Sequence, residues 1–142
     1  MRATPAIAPA IAPAIALLVP TALALAGCSV PWEELRAVST VTAAFTARTQ
    51  AADTAAACEL LAPGTREELA HDPGPTWAAA LSDADLPNAG DVRSTDVYGR
   101  QARVEFDRDT YFLTSFADGW KVNAAGCTPR IRQPYRCLVK GS

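Results

Sequence analysis

The spacing of apolar residues changes once along this chain, at Asp91, and that change limits the folds open to it. Before it, apolar residues recur at intervals of three and four, as Val38, Val41 and Phe45 do, which is typical of amphipathic helices. After it they alternate with polar residues, as in 101–106, which is typical of half-buried strands. Helices followed by antiparallel strands predict an α+β domain in which N-terminal helices cover one face of a curved antiparallel sheet.

The individual elements can be placed from caps, turns and periodicity. An amphipathic helix begins at Ser39, and three shorter helices are predicted, with Asp53, Thr65 and Thr76 as their N-caps, over 54–62, 65–69 and 77–81. The Pro/Gly-rich segment 71–75 is predicted to be loop. Strands are predicted over 92–98, 101–106, 110–116, 120–124 and 135–139, with tight turns at 99–100 and 118–119.

The first 27 residues have the layout of a secretory signal. Arg2 is their single charged residue, and 15–26 is apolar apart from Pro20 and Thr21. Four prolines interrupt the segment, so no uninterrupted helix reaches the roughly 20 residues that a bilayer span needs. We interpret residues 1–27 as a signal peptide; the competing interpretation is a retained transmembrane helix.

Leu25-Ala26-Gly27-Cys28 closes this segment and resembles the lipobox of bacterial lipoproteins. The resemblance implies cleavage before Cys28 and acylation of its sulfur by a diacylglyceryl group with chains such as palmitate; otherwise Cys28 is an ordinary buried thiol. It also implies a lipid anchor on the outer face of the cytoplasmic membrane. The predicted organisation is a signal peptide, 1–27, a lipidated N-terminus and tether, 28–38, and one α+β domain, 39–142.

Length and charge narrow the classes of partner. The 142 residues leave, after the signal peptide, enough chain for one domain and too little for two. With Arg2 removed, 12 basic and 15 acidic residues give a net charge of about −3. This balance does not favour a nucleic-acid partner. Arginine greatly outnumbers lysine and alanine is abundant, which is associated with a GC-rich, actinobacterial genome.

Three cysteines remain if Cys28 is acylated, and an exported protein is expected to form disulfides. Cys58, Cys127 and Cys137 allow three pairings. Prolines between Cys127 and Cys137 favour a compact turn that would bring these two together. Cys58 would then be a free thiol on an apolar helix face, either buried and inert or exposed and reactive.

No stretch carries a catalytic, cofactor or metal motif. His71 is the single histidine, so neither a serine triad nor a His-based metal motif is predicted, and a site built from His71 and Asp72 is less favoured than a solvated histidine. Asp107 and Asp109 could supply two calcium ligands, although a calcium loop needs more oxygens. We therefore expect no cofactor, no metal and no enzymatic activity.

Four basic residues end the sequence, with no acidic residue after Asp118: Arg130, Arg132, Arg136 and Lys140. On a lipid-anchored domain this patch could contact anionic phospholipid or a wall polymer. The alternative is a solvated edge of the domain.

Three stretches, 55–69, 97–127 and 127–141, resemble a group of small actinobacterial lipoproteins of unassigned function. Their element order is similar to the cone-like α+β fold of the nuclear-transport-factor-two-like superfamily, which includes SnoaL-like proteins. The group typically has a further cysteine where Trp77 stands, paired with the one matching Cys58; here that partner is missing.

The resemblance does not assign a function, because the fold hosts enzymes, transport factors and accessory domains alike. We predict a non-catalytic binding or scaffold module of the cell envelope, with an envelope protein or wall polymer as partner. A carrier of a small apolar ligand is one alternative. A small-molecule enzyme using Asp96, Tyr98 or Tyr111 inside the cone is another.

Overall fold

The computed structural model describes residues 30–71 and 76–141, which form four helices and a five-stranded antiparallel sheet. The predicted α+β class, with helices packed over an antiparallel sheet, is confirmed. The elements in chain order are α1 (Trp32–Gln50), α2 (Thr54–Glu59), α3 (Pro63–His71), α4 (Trp77–Asp83), β1 (Val92–Tyr98), β2 (Gln101–Phe106), β3 (Thr110–Phe116), β4 (Gly119–Arg130) and β5 (Gln133–Lys140). The sheet order is β1-β2-β3-β4-β5, so β1 and β5 are its edges.

The first three strands have the bounds that the alternating pattern predicts. β4 is longer than predicted, because it continues through Cys127 to Arg130 and forms a hairpin with β5. Pro134 lies in β5, where an edge position tolerates a residue without a backbone N–H. The alternation therefore predicted the strands correctly, but Pro129 in β4 and Pro134 in β5 made the last hairpin look shorter in the sequence than it is.

Helix α1 begins at Trp32, within the segment predicted to be a tether through Val38. Pro31 precedes its first turn, and the acidic residues of that turn complement the positive N-terminal end of the helix dipole. Glu34 also accepts a hydrogen bond from the indole of Trp120, at 2.7 Å. Val38 is fully buried, so this part of the chain belongs to the packed domain.

The caps of the shorter helices follow the prediction in two cases of three. Asp53 accepts from the N–H of Ala56 and Thr76 from that of Ala79, as predicted for N-caps. The predicted Thr65 cap is wrong: α3 begins at Pro63, a residue favoured at the first helical position. Thr65 is buried inside the helix, where its hydroxyl donates to the carbonyl of Asn123 at 2.8 Å.

His71, predicted to lie in a loop, forms the last turn of α3, and the remainder of that predicted loop, 72–75, lies outside the described residues.

The core lies between α1, the segment after α2 and the sheet. Tyr111 of β3 meets the ring of Phe45 edge-on at 5.5 Å and the ring of Phe106 at 4.7 Å. The backbone of 60–62 pairs with Val122 of β4, with both hydrogen bonds at 2.8 Å. These contacts fix α1 and α2 against the central strands.

The disulfide joins Cys127 of β4 to Cys137 of β5, the pairing that the sequence favours. The two residues lie directly opposite each other in the hairpin. Closing a loop of 10 residues' separation stabilises the fold by about 2–3 kcal/mol in the chain-entropy model. The hairpin is thus cross-linked midway along its paired residues.

Candidate functional site

Helix α1 has two unlike faces where it crosses the sheet. Val38 and Phe45 are large, buried residues on the face that fills the core. Towards β1 and β2, the helix presents short side chains at Ser39, Ala43 and Ala47. Because these side chains are too short to reach the sheet, they leave a groove between the helix and the strands.

The groove has a volume of about 500 Å³ and is open to solvent. Val104 and Phe106 of β2 form an apolar part of its wall, and Val92 and Thr95 of β1 line it as well. A volume of this size, mostly apolar with a few polar groups, is typical of small-molecule sites.

Thr42 supplies the groove's distinctive polar group. The residue is 2% exposed, and its Oγ1 has no hydrogen-bond partner in the part of the chain that the structure describes. The neighbouring Thr46 differs, because its hydroxyl donates to the carbonyl of Thr42 at 2.9 Å and contacts the phenol of Tyr111. A buried hydroxyl without a partner costs stability, so Thr42 is a candidate for hydrogen bonding to a ligand.

Asp96, Tyr98 and Tyr111, the residues considered for acid–base chemistry, do not line this groove. Burial raises the pKa of Tyr111 to about 12, and its ring is part of the core. Tyr98 is 64% exposed, and Asp96 pairs with Arg103 at 2.9 Å. Among the described residues that line the groove, Asp91 alone is titratable. No acid–base pair is therefore positioned among these lining residues.

Asp107 and Asp109 do not form the calcium pair considered from the sequence. Asp107 forms an ion pair with Arg93, which holds the pKa of its carboxyl below the usual value. Asp109 is 5% exposed and accepts the backbone N–H groups of Thr110, Gly126 and Cys127, while its burial raises its pKa. Over 30–71 and 76–141, no three His, Cys, Asp or Glu side chains are grouped so that they could hold a metal ion.

Cys58 is a free, fully buried thiol, which agrees with the first of the two interpretations of its sequence. Its Sγ lies 3.7 Å from the carbonyl oxygen of Trp77. Desolvation raises the pKa of the thiol to about 11, so the nucleophilic thiolate is scarce at neutral pH. Cys58 therefore packs as a small apolar residue.

The remaining predicted residues lie apart from the groove. Exposed His71 ends α3, and its suggested partner Asp72 is not among the described residues. The four predicted lipobox residues, 25–28, also lie outside the described part of the chain. Trp32 is 61% exposed, and the guanidinium of Arg36 lies 5.1 Å from its ring centroid.

The groove beside α1 was not predicted from the sequence. The signal for it was the recurrence of short residues at 39, 43 and 47 along one line of α1. In the sequence, those positions resemble a solvated helix face.

Comparison with models of protein families, with curated proteins and with solved structures found no match. None of the helices within 30–71 and 76–141 combines the length and apolar character that crossing a membrane requires.

Proposed function

We propose that this protein is a lipid-anchored, extracytoplasmic binding module of the bacterial envelope that holds a small, mainly apolar ligand in the groove between α1 and strands β1 and β2. The observation that carries the proposal is the groove itself, with its apolar wall and the unpartnered hydroxyl of Thr42. A ligand with an apolar body and one hydrogen-bonding group would match both features.

The location follows from the resemblance of 25–28 to a lipobox. Acylation at Cys28 would hold the domain at the outer face of the cytoplasmic membrane, because two or more acyl chains anchor stably where one chain does not. The anchor would lie only four residues before Trp32, where α1 begins. The start of α1 would therefore lie within about 14 Å of the lipidated residue.

The proposal includes the cone-like form expected of the nuclear-transport-factor-two-like group. Register shifts interrupt the pairing of β1 with β2, β3 with β4, and β4 with β5. Such irregularities bend and twist strands, which supports a sheet that curves around α1. A ligand site between helix and sheet would then lie inside the curve.

The direct test is native mass spectrometry of the lipoprotein extracted in detergent from its own membranes. We expect wild-type protein to carry a bound small molecule beyond its acyl group. In the double variant Ala43→Phe/Ala47→Phe, two large rings would occupy the groove and should reduce the bound fraction at least tenfold. Retention of the same molecule by this variant, or a wild type without one, would overturn the groove as a ligand site.

A matched control makes the same chemical change at exposed helical positions outside the groove. Ala55 of α2 and Ala70 of α3 are both exposed. The Ala55→Phe/Ala70→Phe variant should keep wild-type occupancy. Equal loss in both double variants would assign the effect to added surface hydrophobicity.

The Thr42→Val substitution tests the polar part of the proposal. Because the Thr42 hydroxyl has no partner in the described structure, removing it should leave the free energy of unfolding of ligand-free protein unchanged or raise it by up to about 1 kcal/mol. Ligand occupancy should nevertheless fall severalfold. Chemical denaturation combined with native mass spectrometry measures both quantities, and a destabilised variant with full occupancy would contradict the assignment.

A further inference from the structure

Three arginines line a second surface cavity, separate from the groove and next to the β4–β5 hairpin. Arg108 follows β2, while Arg130 and Arg136 belong to β4 and β5. The cavity has a volume of about 390 Å³, and Pro87 and Leu138 add apolar surface to it. The chain thus brings together positive charges that are far apart in sequence.

These three guanidinium groups have no ion-pair partner within the described chain, unlike those of Arg48 and Arg93. Arg108 donates to Asn88, through a bond of 3.0 Å to its carbonyl, and Arg130 donates to the Pro134 carbonyl at 3.0 Å. Arg108 and Arg130 are therefore held by neutral acceptors, although the carboxylate of Asp107, which pairs with Arg93, is close enough to Arg108 for their charges to interact.

Arg136 is the most available of the three, because it is exposed and its side chain makes no hydrogen bond to the described residues. Asp109 is the one carboxylate among the residues lining the cavity. Its two oxygens already accept three backbone N–H groups at 2.6–3.2 Å, so they are not directed at the arginines. The cavity therefore has an excess of positive charge.

The disulfide makes this arrangement rigid. Cys127 and Cys137 cross-link the two strands that carry Arg130 and Arg136, and Thr128 pairs with Arg136 in the same ladder. Strands held in a fixed register lose less backbone freedom on binding than flexible ones would. The hairpin is suited to hold an anion in a defined place.

We propose that this cavity binds a phosphodiester group of an anionic polymer outside the membrane. Guanidinium groups present paired N–H donors that match the two non-bridging oxygens of a phosphodiester, and several guanidinium groups at one site suit a polymer in which such phosphates recur. Thr128 adds a hydroxyl at the same cavity.

The choice of a polymer over the membrane's own phospholipids rests on the proposed anchor at Cys28. The first turn of α1 contacts Trp120 at the start of β4, whereas Thr128 and Arg130 lie near the other end of that strand. At about 3.3 Å per residue, Trp120 and Thr128 are about 26 Å apart. The cavity is therefore far from the end of the domain where the anchor would attach.

The test is binding of the purified full-length lipoprotein to immobilised poly(glycerol phosphate), with inorganic phosphate as a soluble competitor. Arg136→Gln should weaken binding about tenfold. Arg136→Lys keeps the positive charge but loses the paired N–H donors of the guanidinium group, so it should weaken binding about threefold. Arg132→Gln is the matched control, since Arg132 lies in the same hairpin but does not line the cavity. It should change the Kd by less than twofold.

Several results would overturn the proposal. Equal losses for Arg136→Gln and Arg132→Gln would mean that the hairpin acts as an unspecific basic patch. Binding to vesicles of phosphatidylglycerol that depends on Arg136, without binding to the polymer, would assign the site to membrane headgroups. Absence of binding to either probe by wild-type protein would reject an anion site. The Ala43→Phe/Ala47→Phe groove variant should bind the polymer normally, so the two proposals fail independently.

Discussion

Replacing Asp109 by alanine is expected to lower the free energy of unfolding by about 3 kcal/mol or more, a large part of the 5–15 kcal/mol typical of a domain. The carboxylate accepts the N–H groups of Thr110 at 2.6 Å, Cys127 at 2.9 Å and Gly126 at 3.2 Å. Alanine would leave these donors without their acceptor in a buried region, and each orphaned group costs about 1–3 kcal/mol. Urea denaturation followed by circular dichroism measures the loss.

The conservative variant Asp109→Asn separates the acceptor role from the charge. Its amide oxygen can still accept from Thr110 and Cys127, but the amide nitrogen cannot accept from Gly126. We therefore expect Asp109→Asn to lose less stability than Asp109→Ala. Equal losses would show that the charge, and not the acceptor geometry, holds this part of β4.

The difference in stability between wild type and Asp109→Asn should also depend on pH, because only the aspartate can bind and release a proton. Burial raises the pKa of the Asp109 carboxyl above its usual value, so the folded state binds the proton more readily than the unfolded state does. The stabilisation that comes from binding this proton is therefore complete below the unfolded pKa of about 4 and is lost as the pH rises through the folded pKa. Between pH 7 and pH 4, wild type should gain stability relative to Asp109→Asn. A difference that is constant, or that changes in the opposite direction, would contradict the raised pKa.

The strands could be predicted because their signal is local. In β2, buried and more exposed side chains alternate along Gln101–Phe106. Gly99, in the tight turn that precedes β2, has a positive φ of 60°, which favours glycine at that position. Neither feature depends on what the sheet packs against. The same is true of the Asp53 and Thr76 caps, whose hydrogen bonds close within three residues.

The missed features depend on partners far away in the chain. Glu34, in the first turn of α1, bonds to Trp120, and the hydroxyl of Thr65 bonds to Asn123. Neither Trp120 nor Asn123 lies within the short stretch of sequence over which helical periodicity is assessed. The periodicity therefore predicts a tether through Val38, where the chain is already helical from Trp32, and an N-cap at Thr65, whose buried hydroxyl instead bonds to β4.

Cavities are more difficult to predict from the sequence than strands or caps, because they depend on how far side chains from several elements extend in the folded structure. The basic residues Arg130 and Arg136 were recognisable in the sequence as part of an unopposed positive stretch. Arg108 was not, because it joins them only through the arrangement of the strands. In the same way, the groove depends on short side chains of α1 lying opposite Val104 and Phe106, a correspondence that sequence spacing does not specify.

Under the proposed lipid anchor, a Cys28→Ser variant should lose membrane attachment almost completely. Serine offers no thiol for acylation, so protein from which the signal segment has been cleaved would carry no acyl chain. Each buried CH₂ contributes about 0.8 kcal/mol to membrane binding, so removing two or more acyl chains removes the main attachment of the mature domain. The measurement is fractionation of cells into membrane and soluble parts, with mass spectrometry of the N-terminal peptide to detect cleavage and acyl mass.

Two controls distinguish loss of the anchor from loss of the fold or of processing. Cys58→Ala removes a different thiol, one that is buried and makes no disulfide, and should leave membrane attachment at the wild-type level. A chain with residues 1–28 exchanged for a cleavable secretory signal should be exported and recovered in the soluble fraction. Cys28→Ser protein that is cleaved normally and still partitions fully with membranes would rule out an acyl anchor at this residue. Attachment would then have to come from the domain itself, and the exposed Trp32 at the start of α1 would be the first residue to substitute.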